Sequence, residues 1–291
     1  MKPAAFDYRC PDTLEEAFEL LDENGDDVKI MAGGQSLTPM LNFRVVRPAL
    51  IVDISRLIEL DYVRPREDGG LTVGALTRHR IMETSPVVAK AFPIIPETMV
   101  NVAHLAIRNR GTIGGSLSHA DPAAELPMLT RLLDATIVVQ SSAGEREIPS
   151  ADFFLAPLTS ALEENEIVVK IEFPGLIPGT GWCFQEFARR AGDFALAAVG
   201  VLLEVEDSCV SSARVAMMGV ADTPIRRPEA EEALLGKTLT DAVMLDVIHA
   251  ACDSLTPNVD LHASPEFRKH LAGVLMERTL RKAWARATGE M

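Results

Sequence analysis

Cysteine is scarce in this chain, and its spacing excludes two kinds of metal site. Only four cysteines occur in 291 residues, and they lie far apart, at Cys10, Cys183, Cys209 and Cys252. Zinc sites and iron–sulfur clusters take their thiolate ligands from closely spaced pairs such as Cys-x-x-Cys. Because the sequence contains no such pair, we expect no metal ligands in this chain and interpret the cysteines as reduced, structural thiols.

Positive charge is also in short supply. The chain has 28 Lys and Arg against 42 Asp and Glu, a formal net charge of −14. A nucleic-acid-binding surface needs clustered cations to displace counterions from the phosphates. The basic clusters of this chain are short, such as the pairs Arg189-Arg190 and Arg226-Arg227. The charge balance therefore argues against nucleic-acid binding, and we expect no nucleic-acid partner. The Arg108 and Arg110 pair could face an acidic surface of a partner, but base rates favour solvated side chains, and solvation is the expectation.

Long hydrophobic runs are absent as well. No stretch approaches the run of about 18 apolar residues that a membrane-spanning helix needs, and residues 1–7 lack the apolar core of a signal peptide. We therefore expect no membrane span and a cytoplasmic location. Hydrophobic residues still make up 47% of the chain, which is ordinary for a globular protein, and the length suits about two domains.

Capping residues indicate the start of two helices. Asp12 and Glu15 have the spacing of a capping box ahead of an amphipathic helix. Asp121 is a candidate cap for a second helix, because Pro122 would then occupy the first helical position. Both helices are predicted to begin at these residues.

The order of elements around a double glycine predicts a parallel sheet. Residues 28–32 form a short apolar run that predicts a strand, Gly33-Gly34 ends the run, and residues 36–46 have a helical pattern. Residues 50–54 predict the next strand. Strand, glycine turn, helix and strand form a βαβ unit, and we expect its two strands to be parallel neighbours.

The C-terminal part of the chain has a different pattern. Residues 174–181 are rich in proline and glycine and indicate a domain boundary. Beyond it, β-rich runs predict an antiparallel meander, and helices follow. The strands are expected at residues 184–188, 197–205 and 210–220, and the helices at residues 228–235, 239–255 and 265–287.

Two double-glycine segments are the candidate functional residues: Ala32-Gly33-Gly34-Gln35-Ser36 and Thr112-Ile113-Gly114-Gly115-Ser116. Glycine adopts positive φ and lets backbone amides approach an anion without an intervening Cβ. Two such loops could hold the two phosphates of a dinucleotide without any lysine cluster. A glycine pair at a strand end is also an ordinary turn with no ligand, and neither segment matches G-x-G-x-x-G or the P-loop motif. The residues alone leave both interpretations open.

Taken together, the two segments resemble a known family. The second continues as LSHADPAAE over residues 117–125, and residues 191–195 read AGDFA. This combination closely resembles the FAD-binding medium subunit of molybdenum hydroxylases, a group that includes carbon monoxide dehydrogenase and the flavin domain of xanthine dehydrogenase. The resemblance covers essentially the whole chain.

The resemblance implies an α+β fold with two domains. Residues 1–176 are expected to form a FAD-binding domain of the vanillyl-alcohol-oxidase (PCMH) type, made of two α/β subdomains at about 1–57 and 58–176. Residues 177–291 are expected to form a C-terminal domain, of the carbon monoxide dehydrogenase flavoprotein type, with an antiparallel sheet and helices.

The resemblance also implies which residues contact FAD. Either Asp121 or Glu125 would accept hydrogen bonds from the ribityl hydroxyls, and two valines would lie beside the flavin or the adenine. Gln185 stands near a position where the family often has lysine, and Asp193-Phe194 belongs to a loop that the family places over the flavin ring. The implied contacts are Ala32, Gly33, Gly34, Gln35, Ser36, Thr112, Ile113, Gly114, Gly115 and Ser116 at the diphosphate, and Asp121, Glu125, Val168 and Val169 elsewhere.

The implied function is electron transfer within a heterotrimer. FAD on this chain would receive electrons from a small [2Fe-2S] subunit and pass them to an external acceptor, while the molybdenum cofactor resides on a large subunit; two heterotrimers would form a dimer. No catalytic residue is expected here, because a flavin carries the chemistry itself. The alternatives are a self-contained FAD-dependent oxidase or reductase with its own small organic substrate, and a non-catalytic nucleotide-binding module.

Overall fold

The computed structural model describes residues 1–290, which form fourteen strands and twelve α-helices. The strands are β1 (Asp7–Arg9), β2 (Val28–Met31), β3 (Leu50–Asp53), β4 (Val63–Pro65), β5 (Leu71–Gly74), β6 (Thr136–Ser141), β7 (Gly144–Pro149), β8 (Phe154–Ala156), β9 (Thr159–Ser160), β10 (Ile167–Phe173), β11 (Gly181–Phe187), β12 (Ala197–Glu206), β13 (Cys209–Met218) and β14 (Ile225–Arg226). The helices are α1 (Leu14–Asn24), α2 (Leu37–Asn42), α3 (His79–Thr84), α4 (Pro86–Ala91), α5 (Ile94–Met99), α6 (Leu105–Arg108), α7 (Ile113–His119), α8 (Glu125–Leu132), α9 (Ser150–Phe153), α10 (Pro228–Leu234), α11 (Asp241–Cys252) and α12 (Pro265–Ala287).

The first sheet is parallel, as the βαβ pattern predicts. Its strand order is β1-β3-β2, and helix α2 connects β2 to β3. The helix ends at Asn42, earlier than predicted, and the chain then turns at Arg44, which has a φ of 58°. The sequence pattern does not predict β1, because its three residues are all exposed and carry no hydrophobic alternation.

The capping box of helix α1 lies one residue later than predicted. Thr13 is the N-cap, and its hydroxyl accepts a hydrogen bond from the Glu16 amide at 3.2 Å. The Glu16 carboxylate in turn accepts from the Asp12 amide at 2.9 Å. The prediction of Asp12 with Glu15 was therefore wrong by one position, because Thr13 with Glu16 satisfies the same spacing.

The second sheet is antiparallel, with strand order β4-β5-β10-β6-β7. Helices α3 to α8 cover it, and the rings of Phe92 and Phe173 meet in the core with centroids 5.8 Å apart. Helix α8 begins at Glu125 and not at Asp121. The Asp121 carboxylate instead accepts from the Ala123 amide at 2.8 Å, and this local turn takes the place of the predicted helix start.

The third sheet, β11-β12-β13-β14, is antiparallel, as the meander pattern predicts. Helix α12 packs against one face of it and occupies the predicted range, because Ser264 caps it and Pro265 takes its first position. The other face packs against helix α8, where the Met128 and Leu132 side chains lie directly over Gly200. The prediction of an α+β fold is confirmed.

Ion pairs join the C-terminal sheet and helices to the preceding domain at two places. Glu97 of α5 accepts hydrogen bonds from Lys282 at 3.1 Å and from Arg286 at 2.8 Å, both on α12. Arg226 of β14 donates to Asp134 at 2.6 Å. These ion pairs add to the apolar contact between the two domains, which share one hydrophobic cluster.

The four cysteines are free thiols, and Cys183 and Cys252 are buried, which raises the pKa of each to about 11. Within residues 1–290 there is no group of three or more His, Cys, Asp or Glu side chains arranged to hold a metal ion. None of the helices described for these residues combines the length and the apolar character needed to cross a membrane.

Candidate cofactor site

The first glycine segment leaves strand β2 and enters helix α2 with its amides unpaired. None of the amide groups of residues 33–36 donates a hydrogen bond to another part of residues 1–290. Gly34 has a φ of 70°, which glycine adopts without strain. The Gln35 side chain donates to the Gly33 carbonyl at 2.8 Å and keeps the loop folded back on itself. Consecutive unpaired amides of this kind form a concave donor surface for an anion.

The second glycine segment differs from the sequence prediction, because it is the first turn of helix α7. Thr112 is the N-cap, and its hydroxyl accepts from the Gly115 amide at 3.2 Å. The Gly114 amide donates to the Ala75 carbonyl at 2.8 Å, and the amides of Ile113 and Ser116 each donate to a backbone carbonyl at 3.0 Å. Most of the donor capacity available to a diphosphate therefore lies in the first segment.

The two segments lie directly against each other. A Cβ on Gly33 would collide with the Arg110 carbonyl and would lie 2.9 Å from the Gly111 Cα. A Cβ on Gly115 would lie 3.8 Å from the Ala32 Cβ. Glycine is required at position 33 because the backbone of the second segment passes against it. The unpaired amides of the first segment adjoin the N-terminus of helix α7.

His79 and Arg78 position the start of helix α7. The Thr112 carbonyl lies 3.0 Å from His79 Nε2; since a carbonyl only accepts, Nε2 carries the proton. Burial lowers the pKa of His79 to about 4, so the ring is neutral at physiological pH. Arg78 donates to the Arg110 carbonyl. The sequence prediction missed both residues, because neither belongs to a glycine segment or a recognised motif.

Arg108 is partly buried, in contrast to the solvated position predicted for it. Its guanidinium pairs with Glu83 at 2.9 Å, and each of the two side chains is 11% exposed. It also donates to the carbonyls of Val102 at 2.8 Å and Ala103 at 3.0 Å. Ala103 has a φ of 44°, so Arg108 stabilises a strained turn just ahead of the second glycine segment.

A cavity of 590 Å³ opens near the C-terminal end of helix α7. Asp121 lines it from the first domain, and Asp193 and Phe194 line it from the loop between β11 and β12. Because α7 has seven residues, it rises about 10 Å between its two ends. The unpaired amides adjoin one end of this helix and the cavity lies near the other.

The two candidate carboxylates, Asp121 and Glu125, have different surroundings. Asp121 faces the cavity and accepts from a backbone amide. Glu125 is 9% exposed, and burial, together with the nearby Glu186, raises its pKa to about 8. Glu125 therefore carries a proton at neutral pH and can donate a hydrogen bond as well as accept one.

Val168 and Val169 lie in strand β10 at a bulge, and both are buried. Val168 joins the core of the antiparallel sheet, whereas Val169 joins the core of the parallel one. On strand β11, successive side chains alternate between faces: Phe184 packs toward the first domain and Cys183 toward the C-terminal core. Gln185 thus points with Cys183 toward the C-terminal core, and Glu186 lies on the face that meets the first domain.

Both the N-terminal and the C-terminal part of the chain match models of known protein families. Residues 4–176 match the FAD binding domain in molybdopterin dehydrogenase, and residues 182–283 match the CO dehydrogenase flavoprotein C-terminal domain. The chain belongs to the FAD-binding medium subunits of molybdenum hydroxylases. The resemblance found in the sequence is thereby confirmed.

Individual relatives of this medium subunit cover nearly its full length. It is 44% identical to the alpha subunit of the 6-hydroxypseudooxynicotine dehydrogenase complex of Paenarthrobacter nicotinovorans, over 99% of this chain and 97% of the relative. It is 39% identical to the beta subunit of caffeine dehydrogenase of Pseudomonas sp. strain CBB1, over 97% and 96%. Among solved structures, carbon monoxide dehydrogenase from Hydrogenophaga pseudoflava matches with a TM-score of 0.96 and 36% identity, over 98% of this chain and 99% of that one.

These relationships define the role of the chain. It is the FAD-binding, electron-transfer subunit of a multi-subunit oxidoreductase, and the molybdenum centre and the iron–sulfur clusters reside on separate large and small partner subunits. The confirmed role accounts for the absence of a recognisable acid, base or nucleophile motif in the sequence, because substrate is converted on another polypeptide.

Proposed function

We propose that the unpaired amides of residues 33–36 bind the diphosphate of FAD and that the second segment supports them from the side. The second segment contributes the partly exposed Gly115 and Ser116, while Thr112, Ile113 and Gly114 are buried behind them. The observation that carries this proposal is the row of unpaired amides next to a second backbone. An acidic protein can hold a diphosphate this way without lysines.

The flavin end is proposed to extend along helix α7 toward the 590 Å³ cavity. Asp121 and Glu125 would then flank the ribityl chain, and the Asp193-Phe194 loop would lie beside the ring. Val168 and Val169 would lie beside the flavin or the adenine, each contributing the small exposed part of its side chain. A bound flavin supplies the ability to accept electrons singly and release them in pairs.

We further propose electron flow from the [2Fe-2S] subunit to this chain and then to an external acceptor, in a cytoplasmic dimer of heterotrimers. The domain limits are proposed at residues 1–176, divided at about residue 57, and 177–291. The relatives are named for substrates as different as caffeine, 6-hydroxypseudooxynicotine and carbon monoxide. Since such similar medium subunits accompany different substrates, we propose that substrate choice is made outside this chain.

Purification of the intact complex tests this assignment. We expect FAD in equimolar amount with this chain, together with molybdenum and iron, measured by the visible spectrum and metal analysis. The isolated subunit should have the flavin spectrum and no turnover of organic substrates. Direct turnover by the isolated subunit would favour a self-contained oxidase or reductase, and a colourless subunit and complex would favour a non-catalytic nucleotide-binding module.

A further inference from the structure

The loop between β11 and β12, residues 188–196, lies along one side of the 590 Å³ cavity. Within the loop, the Asp193 amide closes a turn by donating to the carbonyl three residues before it, at 3.1 Å. The Leu196 amide donates to the Phe187 carbonyl at 2.8 Å, next to the paired ends of the two strands. Phe194 lies between these two hydrogen bonds and is 69% exposed. Because neither bond involves Phe194, contacts with the rest of the chain decide where this part of the loop stands.

The first domain supports the loop at Gly192. This residue has a φ of 83°, and an added Cβ would lie 2.8 Å from the His104 ring and 3.0 Å from the Ala103 carbonyl. Glycine suits both the close approach and the positive φ. The Ala103 carbonyl also accepts a hydrogen bond from Arg108. The loop therefore rests against a turn that the first domain itself holds in place.

The C-terminal domain holds the loop through Arg268, the fourth residue of helix α12. The Arg268 side chain is buried and lines the cavity. Its Nη1 atom donates to the Leu196 carbonyl at 2.6 Å and to the Gly219 carbonyl at 3.0 Å. Its Nη2 atom pairs with the Asp260 carboxylate at 2.6 Å. One guanidinium therefore joins three segments that line the same cavity, and one of them is the end of the β11–β12 loop.

The two other partners of Arg268 are themselves tied to their surroundings. The Gly219 amide donates to the Pro122 carbonyl at 3.1 Å, in the turn ahead of helix α8. The second carboxylate oxygen of Asp260 accepts from the amides two and three residues later, at 2.8 and 3.0 Å. Arginine suits this position because its planar guanidinium presents separate nitrogen atoms in a fixed fork, whereas lysine presents a single nitrogen. Arg268 thus fixes the end of the loop relative to two anchored segments.

We propose that Arg268 is a positioning residue for the flavin ring: by holding the Leu196 carbonyl, it keeps the Asp193-Phe194 part of the loop beside the cavity. The inference rests on the proposed function, which places the ring at this cavity with the loop next to it. Arg268 acts through the loop and not through the diphosphate, which the proposed function assigns to the amides of residues 33–36. Loss of the Arg268 contacts should therefore expose the ring while FAD stays bound.

The test compares intact complexes that carry the wild-type chain, Arg268→Lys or Arg281→Lys. Arg281 lies on the same helix, its side chain is 54% exposed and it pairs with two exposed carboxylates, so it is the matched control. In Arg268→Lys we expect hydrogen exchange of the Asp193 and Leu196 amides to quicken about tenfold, with FAD bound or removed, because the loop loses a charged donor. Arg281→Lys should match the wild type.

Flavin fluorescence gives the second readout, because its quenching by acrylamide reports how far the ring is open to solvent. In Arg268→Lys the quenching constant should roughly double, since a displaced loop uncovers the ring. The FAD content should stay at the wild-type level. Arg281→Lys should leave the quenching constant unchanged.

Two further variants complete the test. Gly192→Ala displaces the loop without altering Arg268, and it should raise the quenching constant in the same way. Asp260→Asn keeps an oxygen for the two backbone amides but removes the charge that faces Arg268. It should cause smaller changes in the same direction, and it carries the test if Arg268→Lys does not assemble.

The contrary outcomes are distinct. Exchange that quickens equally in the loop and in the core amides of β12 would overturn the inference, because it would show a general loss of stability. An unchanged quenching constant in Arg268→Lys, or in Asp260→Asn where that variant carries the test, would also overturn it if Gly192→Ala raises the constant. Unchanged quenching in every variant, despite faster exchange of the loop amides, would instead refute the proposed placement of the ring.

Discussion

Replacing Gly33 with alanine is expected to strip most of the FAD from the purified complex. The added Cβ collides with the Arg110 carbonyl and presses on the Gly111 Cα, so the two glycine segments must move apart. Overpacking of this kind costs about 1–3 kcal/mol, which corresponds to a loss of FAD affinity of roughly ten- to a hundredfold. The FAD content of the purified complex and titration of the FAD-depleted complex both measure the effect.

Gly273→Ala is the matched control for that substitution. Gly273 lies inside helix α12, and its added Cβ would come no closer than 3.4 Å to a neighbouring atom, the Cγ2 of Ile248. FAD content should be unchanged, and the helix should gain up to about 1 kcal/mol of stability. Full FAD content in Gly33→Ala would contradict the proposed role of the close approach between the two segments.

Replacing Arg108 with alanine should cause the largest loss of folding stability of the substitutions considered. It removes one of the two guanidinium partners of the partly buried Glu83 carboxylate, which keeps Arg80 at 2.9 Å, and it leaves two backbone carbonyls without this donor. Removing the donor from partly buried acceptors in this way costs about 1–3 kcal/mol, to be measured by urea unfolding of the subunit in the complex and alone.

A surface ion pair provides the comparison for Arg108. Arg56 pairs with Asp12 at 3.4 Å, and their side chains are 64% and 73% exposed. Arg56→Ala should therefore change the free energy of unfolding by less than about 1 kcal/mol. Equal effects of Arg108→Ala and Arg56→Ala would show that burial of the Arg108 pair does not contribute as described.

Regular elements of this fold could be predicted where hydrophobic periodicity and capping agree. Helix α12 matches its predicted range because Ser264, Pro265 and the long periodic segment all indicate one helix. The parallel βαβ unit and the antiparallel meander follow from equally clear patterns. Strand β1 is too short and too exposed to have such a pattern, and its place in the sheet depends on pairing with β3.

The sequence identified the glycine segments of the candidate site, but it did not predict which of their backbone amides form hydrogen bonds. The double glycine predicted a turn at residues 112–116, whereas Thr112 is the N-cap of helix α7. The Gly114 amide is paired because of the Ala75 carbonyl, which is distant in the sequence. The burial of Arg108 likewise depends on Glu83, which a local charge pattern does not reveal.

Hydrogen exchange of the complex, compared with FAD bound and after FAD removal, tests the central claim most directly. The amides of residues 33–36 have no acceptor within residues 1–290, so FAD should slow their exchange by about tenfold or more. The amides of residues 113–116 already donate to protein acceptors and should change much less. Unchanged exchange at residues 33–36, or protection confined to residues 113–116, would contradict the account.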